Sequence, residues 1–261
     1  MKEGAQGTEL PSSIGGLIGF GLRSWAANAA LYLALAAGVF AAYALAESVL
    51  PAVPMGTPQG QFKEFVLQYT GLFTDAFVTA AAALGVAARA SGTVATPRML
   101  TGAAVERWLP VIAVSFIAQA VMVFTAEFSG LQPVPGPHAL LYLTAPLTWM
   151  LWGIVSLAGP FVALDPNRGG IAVVSGLGRA FTLSLRRPNL LRLAVISALS
   201  VVPIFAQVAL QNALFLQHTP RAFFWADAPI DALTVAPLAA LQAAFALDFL
   251  RRAGQLEQPP P

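Results

Sequence analysis

Residues 160–199 read PFVALDPNRGGIAVVSGLGRAFTLSLRRPNLLRLAVISAL, and this stretch decides the fold. An apolar segment ends at Asp165, a short helix is predicted next, and Arg186 and Arg187 precede a second apolar segment. The helical period gives the short helix an apolar side and a polar side: Ile171, Val174, Leu177, Phe181 and Leu185 against Ser175, Arg179, Thr182 and Arg186. Basic amphipathic helices of this kind lie in the plane of the membrane interface. The stretch therefore predicts two membrane spans joined by an interfacial helix.

The composition of the whole chain agrees with this prediction. Of the 261 residues, 57% are hydrophobic and only 10% are charged, whereas soluble domains carry about 25% charged residues. A soluble fold of this size could not cover its surface with so few charges, so the chain is expected to be an integral membrane protein. The absence of cysteine excludes disulfides, thiolate metal sites and cysteine nucleophiles. No metal or other cofactor is expected, because the two histidines lie in different predicted loops.

Six apolar segments are long enough to cross a bilayer, which takes about 20 residues. They are residues 26–48, 64–88, 108–128, 140–164, 190–216 and 230–250. Segments rich in proline and glycine at 50–60, 129–138 and 218–229 are predicted to be linkers, since proline ends helices. The fold class is therefore predicted to be an all-α integral membrane protein with six transmembrane helices arranged as three hairpins.

The distribution of lysine and arginine predicts the orientation of the chain. One side of the membrane would hold 12 of these residues and the other only Lys63 and Arg221. The side with the excess is expected to be cytoplasmic, and both termini lie on it. The abundance of alanine and leucine fits a bacterial protein, which would place the chain in the inner membrane as a multi-pass protein.

The spacing of the spans indicates three pseudo-repeats, residues 12–90, 95–165 and 170–253. Each would consist of an interfacial amphipathic helix followed by a transmembrane hairpin. Residues 12–25 and 96–108 are the counterparts of the helix quoted first, and Thr96 and Pro97 suit a helix cap and first position. Alternatively, any six-span protein with short loops has a similar period. A polar N-terminal tail at 1–11 and a disordered tail at 254–261 would flank the single membrane domain.

Two stretches resemble a known bacterial family. Residues 160–199, together with FALDFLRR at 245–252, are similar to the six-span membrane domain associated with glycerophosphoryl diester phosphodiesterases and with stand-alone uncharacterised relatives. The closing motif departs from the family pattern, because its tyrosine is replaced and Phe249 is inserted. The resemblance implies the six-span fold. It does not imply the hydrolase activity, because a phosphodiesterase barrel needs roughly 200 or more additional residues.

Four polar residues within predicted spans are candidates for function. Asp75 lies near the middle of the second span, where an ionised carboxylate costs at least about 2.5 kcal/mol. Gln119 lies in span three, and Gln207 and Gln211 share one face of span five. The residues could form a proton, cation or ligand path. They could equally form the hydrogen bonds between helices that are common in bundles.

A belt of charges is predicted at the cytoplasmic face: Asp165, Arg179, Arg186, Arg187, Asp248, Arg251 and Arg252. Asp165 and Asp248 either pair with arginines such as Arg179, Arg186 or Arg251, or are solvated residues at span ends. The i,i+4 spacing allows Asp248 to pair with Arg252, and Asp248 is expected to lie close to water. The belt should attract anionic lipid head groups.

The function expected from these features is that of a non-enzymatic scaffold or accessory protein that organises or senses lipid at the cytoplasmic face. The alternative is a small transporter or permease that uses Asp75 and the polar face of span five. A lipid-active enzyme is a third possibility, although the acids and histidines form no catalytic cluster in the sequence. The expected partners are the bilayer, anionic lipid head groups, and another membrane protein or a second copy, but no nucleic acid.

Overall fold

The computed structural model describes residues 10–35, 38, 57–125, 128, 139–215 and 220–255, and every regular element within them is helical. A further helical stretch at 29–35 follows the helix Ile14–Ala27. A turn of 3-10 helix at Arg187–Asn189 precedes the helix that begins at Leu190. The α-helices are α1 (Ile14–Ala27), α2 (Pro58–Ala90), α3 (Pro97–Thr125), α4 (Ala139–Ala163), α5 (Gly169–Ser184), α6 (Leu190–Phe215) and α7 (Pro220–Arg252).

Three of the described helical segments are long and apolar enough to cross a membrane: Pro97–Thr125, Thr144–Ala163 and Leu233–Arg252. The described residues confirm the all-helical class, and the three apolar helices are consistent with a membrane protein. Predicted spans two and five correspond to the long helices α2 and α6. Most of the first predicted span, 26–48, lies outside the described residues, so the count of six spans and their arrangement as hairpins stay predictions.

The last helix, α7, lies at the centre of the described bundle. It packs against α1, α2, α4 and α6. Of the 18 residues that form its most apolar segment, 72% are buried, whereas only 22% are buried in the corresponding segment of α3. Its sequence explains this position, because small side chains allow neighbouring helices to approach from several sides. The buried alanines of α7 are Ala236, Ala239, Ala240, Ala243, Ala244 and Ala246.

Glycines mark the closest crossings between helices. A methyl group on Gly21 of α1 would lie 3.1 Å from the backbone of Leu241 in α7. On Gly176 of α5 it would lie 2.3 Å from Val162 Cγ2 in α4, and on Gly153 of α4 it would lie 1.9 Å from Ser197 Oγ in α6. The backbones therefore meet directly at these crossings, which fixes the position of α1 and α5 against the bundle.

The prediction of a separate interfacial helix before span three is wrong. Residues 97–107 belong to α3, which runs unbroken from Pro97 to Thr125. The predicted cap is correct, because Thr96 Oγ1 accepts a hydrogen bond from the backbone N–H of Met99 at 3.3 Å. In the first pseudo-repeat, α1 ends at Ala27, and Asn28 Nδ2 bonds the carbonyl of Ser24. No capping residue of that kind interrupts α3.

One other predicted boundary is corrected. The segment 218–229 is not a linker as a whole, because α7 begins at Pro220. Proline suits the first helical position, where its missing N–H is not needed, and neighbouring helices allow prolines such as Pro229 inside long membrane helices. Leu10 and Pro11, at the end of the predicted N-terminal tail, are held against the end of α7 by Arg251, and the rest of that tail lies outside the described residues.

Candidate functional site at the basic end of the bundle

The arginines whose side chains are described gather at one end of the bundle, called here the basic end. It is the end at which α2, α4 and α7 finish and α3 and α6 begin. Arg89, at the end of α2, donates to the carbonyl of Arg23 in α1 at 3.5 Å. Arg107 of α3 donates to the carbonyl of Asn167, just after α4, at 2.5 Å. These hydrogen bonds join segments that are far apart in sequence, so the basic end has a defined tertiary structure.

Asp165 is the first of two buried carboxylates at the basic end. It follows α4 directly, its side chain has no exposed surface, and four hydrogen bonds reach its oxygens. The backbone N–H and the Nδ2 of Asn167 donate to Oδ1 at 2.8 Å. Ser175 Oγ at 2.5 Å and Arg179 Nη1 at 2.9 Å, both from α5, donate to Oδ2. The carboxylate therefore joins α5 to the end of α4.

Asp248 is the second buried carboxylate and lies one turn before the end of α7. Its side chain has no exposed surface, so the expectation that it lies close to water is wrong. Arg251 Nη2 donates to Oδ1 at 2.5 Å, and Arg252 Nε donates to Oδ2 at 2.7 Å, which confirms the pairing predicted from the i,i+4 spacing. Arg192 Nε lies 2.8 Å from Oδ2, as an ion pair whose N–H is not aligned for a hydrogen bond.

The arginines around Asp248 also hold the segment before α1. Arg251 donates to the carbonyls of Leu10 and Pro11, while Ser12 O accepts from Arg192 Nη2 at 2.6 Å and from Arg252 Nη2 at 3.3 Å. Arg192 and residues 10–12 were not predicted as members of this cluster. They lie far from Asp248 in the sequence, and a backbone carbonyl carries no sequence signal.

Helix α5 presents three distinct faces. Small residues such as Ala172, Gly176 and Ala180 are buried. Ser175 and Arg179 turn to Asp165. The apolar stripe faces away from the bundle, with Ile171 68% and Val174 73% exposed. Ile171, Val174, Phe181 and Leu185 thus form the outer surface of α5, whereas Leu183 is buried and Leu177 packs partly against the core. Part of the polar side of α5 contacts the protein.

Arg186 and Arg187 differ from the other members of the predicted charge belt. Arg179, Arg251 and Arg252 all bind a buried carboxylate. Arg186 and Arg187 are exposed, and their guanidinium groups have no partner among the described residues. Of the three arginines considered as partners of the acids, Arg179 and Arg251 form the ion pairs and Arg186 does not. Among the described residues, the belt therefore divides into bound arginines and two unbound ones, Arg186 and Arg187.

The structure separates the intramembrane candidates from the charged belt. Asp75 on α2 and Gln119 on α3 are partly buried, while the side chains of Gln207 and Gln211 lie outside the described part of the chain. The polar side of α6 is engaged nearer to its start. Gln242 Nε2 of α7 donates to Ser200 Oγ at 3.2 Å, and Ser156 Oγ of α4 lies 3.5 Å from Ser200 Oγ. These bonds join three helices within the core.

Comparisons with protein-family models, with curated proteins and with solved structures found no match to this chain. The resemblance of residues 160–199 and 245–252 to the six-span membrane domain therefore stays a prediction. Within the part of the chain that the structure describes, no group of three histidine, aspartate or glutamate residues could hold a metal ion.

Proposed function

We propose that this chain is a non-enzymatic membrane protein of scaffold or accessory type, which organises lipid at the cytoplasmic face of a bacterial inner membrane. In this proposal six helices span the membrane, and both termini lie on the cytoplasmic side together with the basic end. Helix α5 lies in the interface plane, where its apolar stripe enters the headgroup region. The outward orientation of this stripe is the observation that carries the proposal.

The orientation of α5 is the reverse of that expected for a helix on a water-exposed surface. Such a helix buries its large apolar residues and exposes its polar ones. In α5 the buried face consists mainly of small residues, while Val174 and Ile171 are among the most exposed large hydrophobic residues described. Burial of apolar surface contributes about 25 cal/mol per Å², so this stripe favours an apolar environment such as the lipid interface.

The scaffold part of the proposal rests on how the polar groups are used. The carboxylate of Asp165 is bound by Asn167, Ser175 and Arg179, and neither it nor that of Asp248 has any exposed surface. The carboxylate of Asp248 is bound by three arginines. Ser200 and Gln242 bond to each other inside the core. These groups stabilise one arrangement of helices. A transporter that uses Asp75 and the polar face of span five would require the Ser200 side of α6 to open, and the bonds at Ser200 favour the structural role instead.

The proposal is tested by measuring the depth of α5 in a bilayer. Because the chain has no cysteine, Val174→Cys and Thr182→Cys each carry a single spin label in the full-length protein. Val174 lies on the apolar stripe, and Thr182 is an exposed polar residue on the same helix. In lipid vesicles, the label at 174 should be more accessible to molecular oxygen than to a water-soluble nickel chelate. The label at 182 should have the higher accessibility to nickel.

Equal, water-like accessibility at the two positions would contradict the proposal, because α5 would then lie in the aqueous phase. A third measurement separates the transporter alternative. Asp75→Asn should leave folding and any proton-coupled solute flux in vesicles unchanged. Loss of a flux that the unmodified protein supports would favour the transporter.

A further inference from the structure

The two unbound arginines of the basic end, Arg186 and Arg187, lie at the corner between α5 and α6. Every other basic residue between Arg168 and Arg252 whose side chain is described forms an ion pair with a carboxylate. No aspartate or glutamate occurs in the sequence between Asp165 and Asp227. Asp165 and Asp248 are buried and already carry arginines of their own. Among the described residues, no carboxylate pairs with these two positive charges of the corner.

The backbone of this corner is stabilised by its own hydrogen bonds and by Asn189, and none of these bonds uses the guanidinium group of Arg186 or Arg187. Asn189 is 1% exposed, and its Nδ2 donates to the carbonyl of Leu183 at 2.8 Å. Its backbone N–H bonds the carbonyl of Arg186 at 2.8 Å, and the N–H of Arg186 bonds Leu183 at 3.3 Å. Pro188 prevents α5 from continuing into α6. The conformation of the corner thus needs neither arginine side chain.

Exposed apolar side chains flank the two arginines on both sides. Phe181 and Leu185 precede them as the end of the α5 stripe, and Leu190 and Leu191 follow them at the start of α6. Leu185 is 51% and Leu191 is 66% exposed. A water-soluble anion would gain no favourable contact from these exposed apolar side chains. A phospholipid matches both features, since its phosphate suits guanidinium donors and its acyl chains suit the leucines.

We propose that Arg186 and Arg187 form a docking site for the phosphate-bearing headgroup of an anionic membrane phospholipid, with its acyl chains against the exposed apolar residues of the α5–α6 corner. This inference rests on the proposed function and names the lipid class that the basic end selects. Free phosphate should bind weakly, because it cannot use the apolar flanks.

The test compares lipid binding to two variants that lose the same charge. The full-length protein is reconstituted into vesicles of an anionic and a zwitterionic phospholipid with identical acyl chains in equal amounts. Native mass spectrometry then measures the ratio of anionic to zwitterionic lipid in complexes with one bound lipid. The variants are Arg186→Gln/Arg187→Gln and the control Arg23→Gln/Arg98→Gln. Arg23 and Arg98 are also exposed and have no side-chain partner among the described residues.

The unmodified protein and the control should both favour the anionic lipid. The corner variant should lose about 25-fold in this ratio, at about fivefold per arginine near a membrane surface. An excess of inorganic phosphate should leave the ratio of the unmodified protein unchanged. An equal loss in both variants would overturn the inference in favour of a general charge effect, and displacement by phosphate would reassign the site to a soluble anion.

The spin label at position 174 distinguishes failure of this inference from failure of the proposed function. The corner variant should keep the label in an oxygen-accessible environment, because the apolar stripe of α5 is intact. A lipid ratio that the corner variant does not change, with the label still in lipid, overturns only the arginine site. A water-exposed label in the unmodified protein overturns the proposed function itself.

Discussion

The carboxylate of Asp248, at the end of α7, lies 2.8 Å from the Nε of Arg192, at the start of α6. Arg192 also donates to the carbonyl of Ser12, in the segment that precedes α1. Through these contacts the segment before α1 and the end of α7 are joined to the start of α6, next to the α5–α6 corner. Asp248 therefore stabilises the junction of three distant parts of the chain.

Asp248→Asn should destabilise the protein by about 3 kcal/mol. Removal of one member of a buried ion pair leaves the other charges uncompensated, and here three arginines lose their acceptor. The measurement is the free energy of unfolding by denaturant in detergent micelles. Glu106→Gln is the matched control, because the pair of Glu106 with Arg168 at 3.3 Å is largely exposed and worth less than about 1 kcal/mol. Equal effects would contradict the role assigned to Asp248.

Arg251→Met should loosen the segment before α1 while keeping most of the side-chain stem. The variant removes the donors to the carbonyls of Leu10 and Pro11. Hydrogen exchange should become faster at the first amides of α1, such as that of Gly16, which bonds Ser13 Oγ at 3.1 Å. Arg187→Met should leave the exchange rates of these amides unchanged, because the side chain of Arg187 contacts none of the described residues through a hydrogen bond or ion pair. Unchanged exchange in the Arg251 variant would mean that the arginine does not hold this segment.

Gly176→Ala should destabilise the bundle by about 1–3 kcal/mol, because the added methyl group would lie 2.3 Å from Val162 Cγ2 and overpack the α4–α5 crossing. The control is Gly178→Ala on the same helix, where no atom lies within 4 Å of the added carbon. That change should be neutral or stabilise by up to about 1 kcal/mol, since alanine favours a helix over glycine. Thermal unfolding of the two variants measures the difference, and the same shift in both would contradict the close approach of α5.

Ser200 and Gln242 should be coupled in a double-mutant cycle. Their hydrogen bond of 3.2 Å joins α6 to α7, and such bonds between membrane helices contribute about 0.6–2 kcal/mol. Ser200→Ala and Gln242→Leu should each destabilise the bundle. The double variant should lose less than the sum of the single losses, by about 0.5–1 kcal/mol. Additive losses would mean that the two residues act independently and would weaken the structural interpretation of the polar side of α6.

The sequence predicted the class of the protein because composition and helical period are local properties. The length and apolarity of the segments that became α3, α4 and α7 were sufficient to identify them. The cap at Thr96 was predictable for the same reason, since it depends on one side chain and an N–H three residues later. The boundary at 107–108 was wrong because it was inferred from the pseudo-repeat, whereas the local sequence allows α3 to continue.

The sequence alone determined that this chain forms apolar helices, that α5 has one apolar side, and that acids and arginines lie at the helix ends. Only the tertiary structure decided which charges meet. Burial of Asp248, its contact with Arg192 and the capture of residues 10–12 depend on packing between segments far apart in sequence. The outward direction of the α5 stripe was likewise set by the small residues that let its opposite face approach α4. A helical period defines the faces of a helix, but the neighbouring helices determine which face is covered.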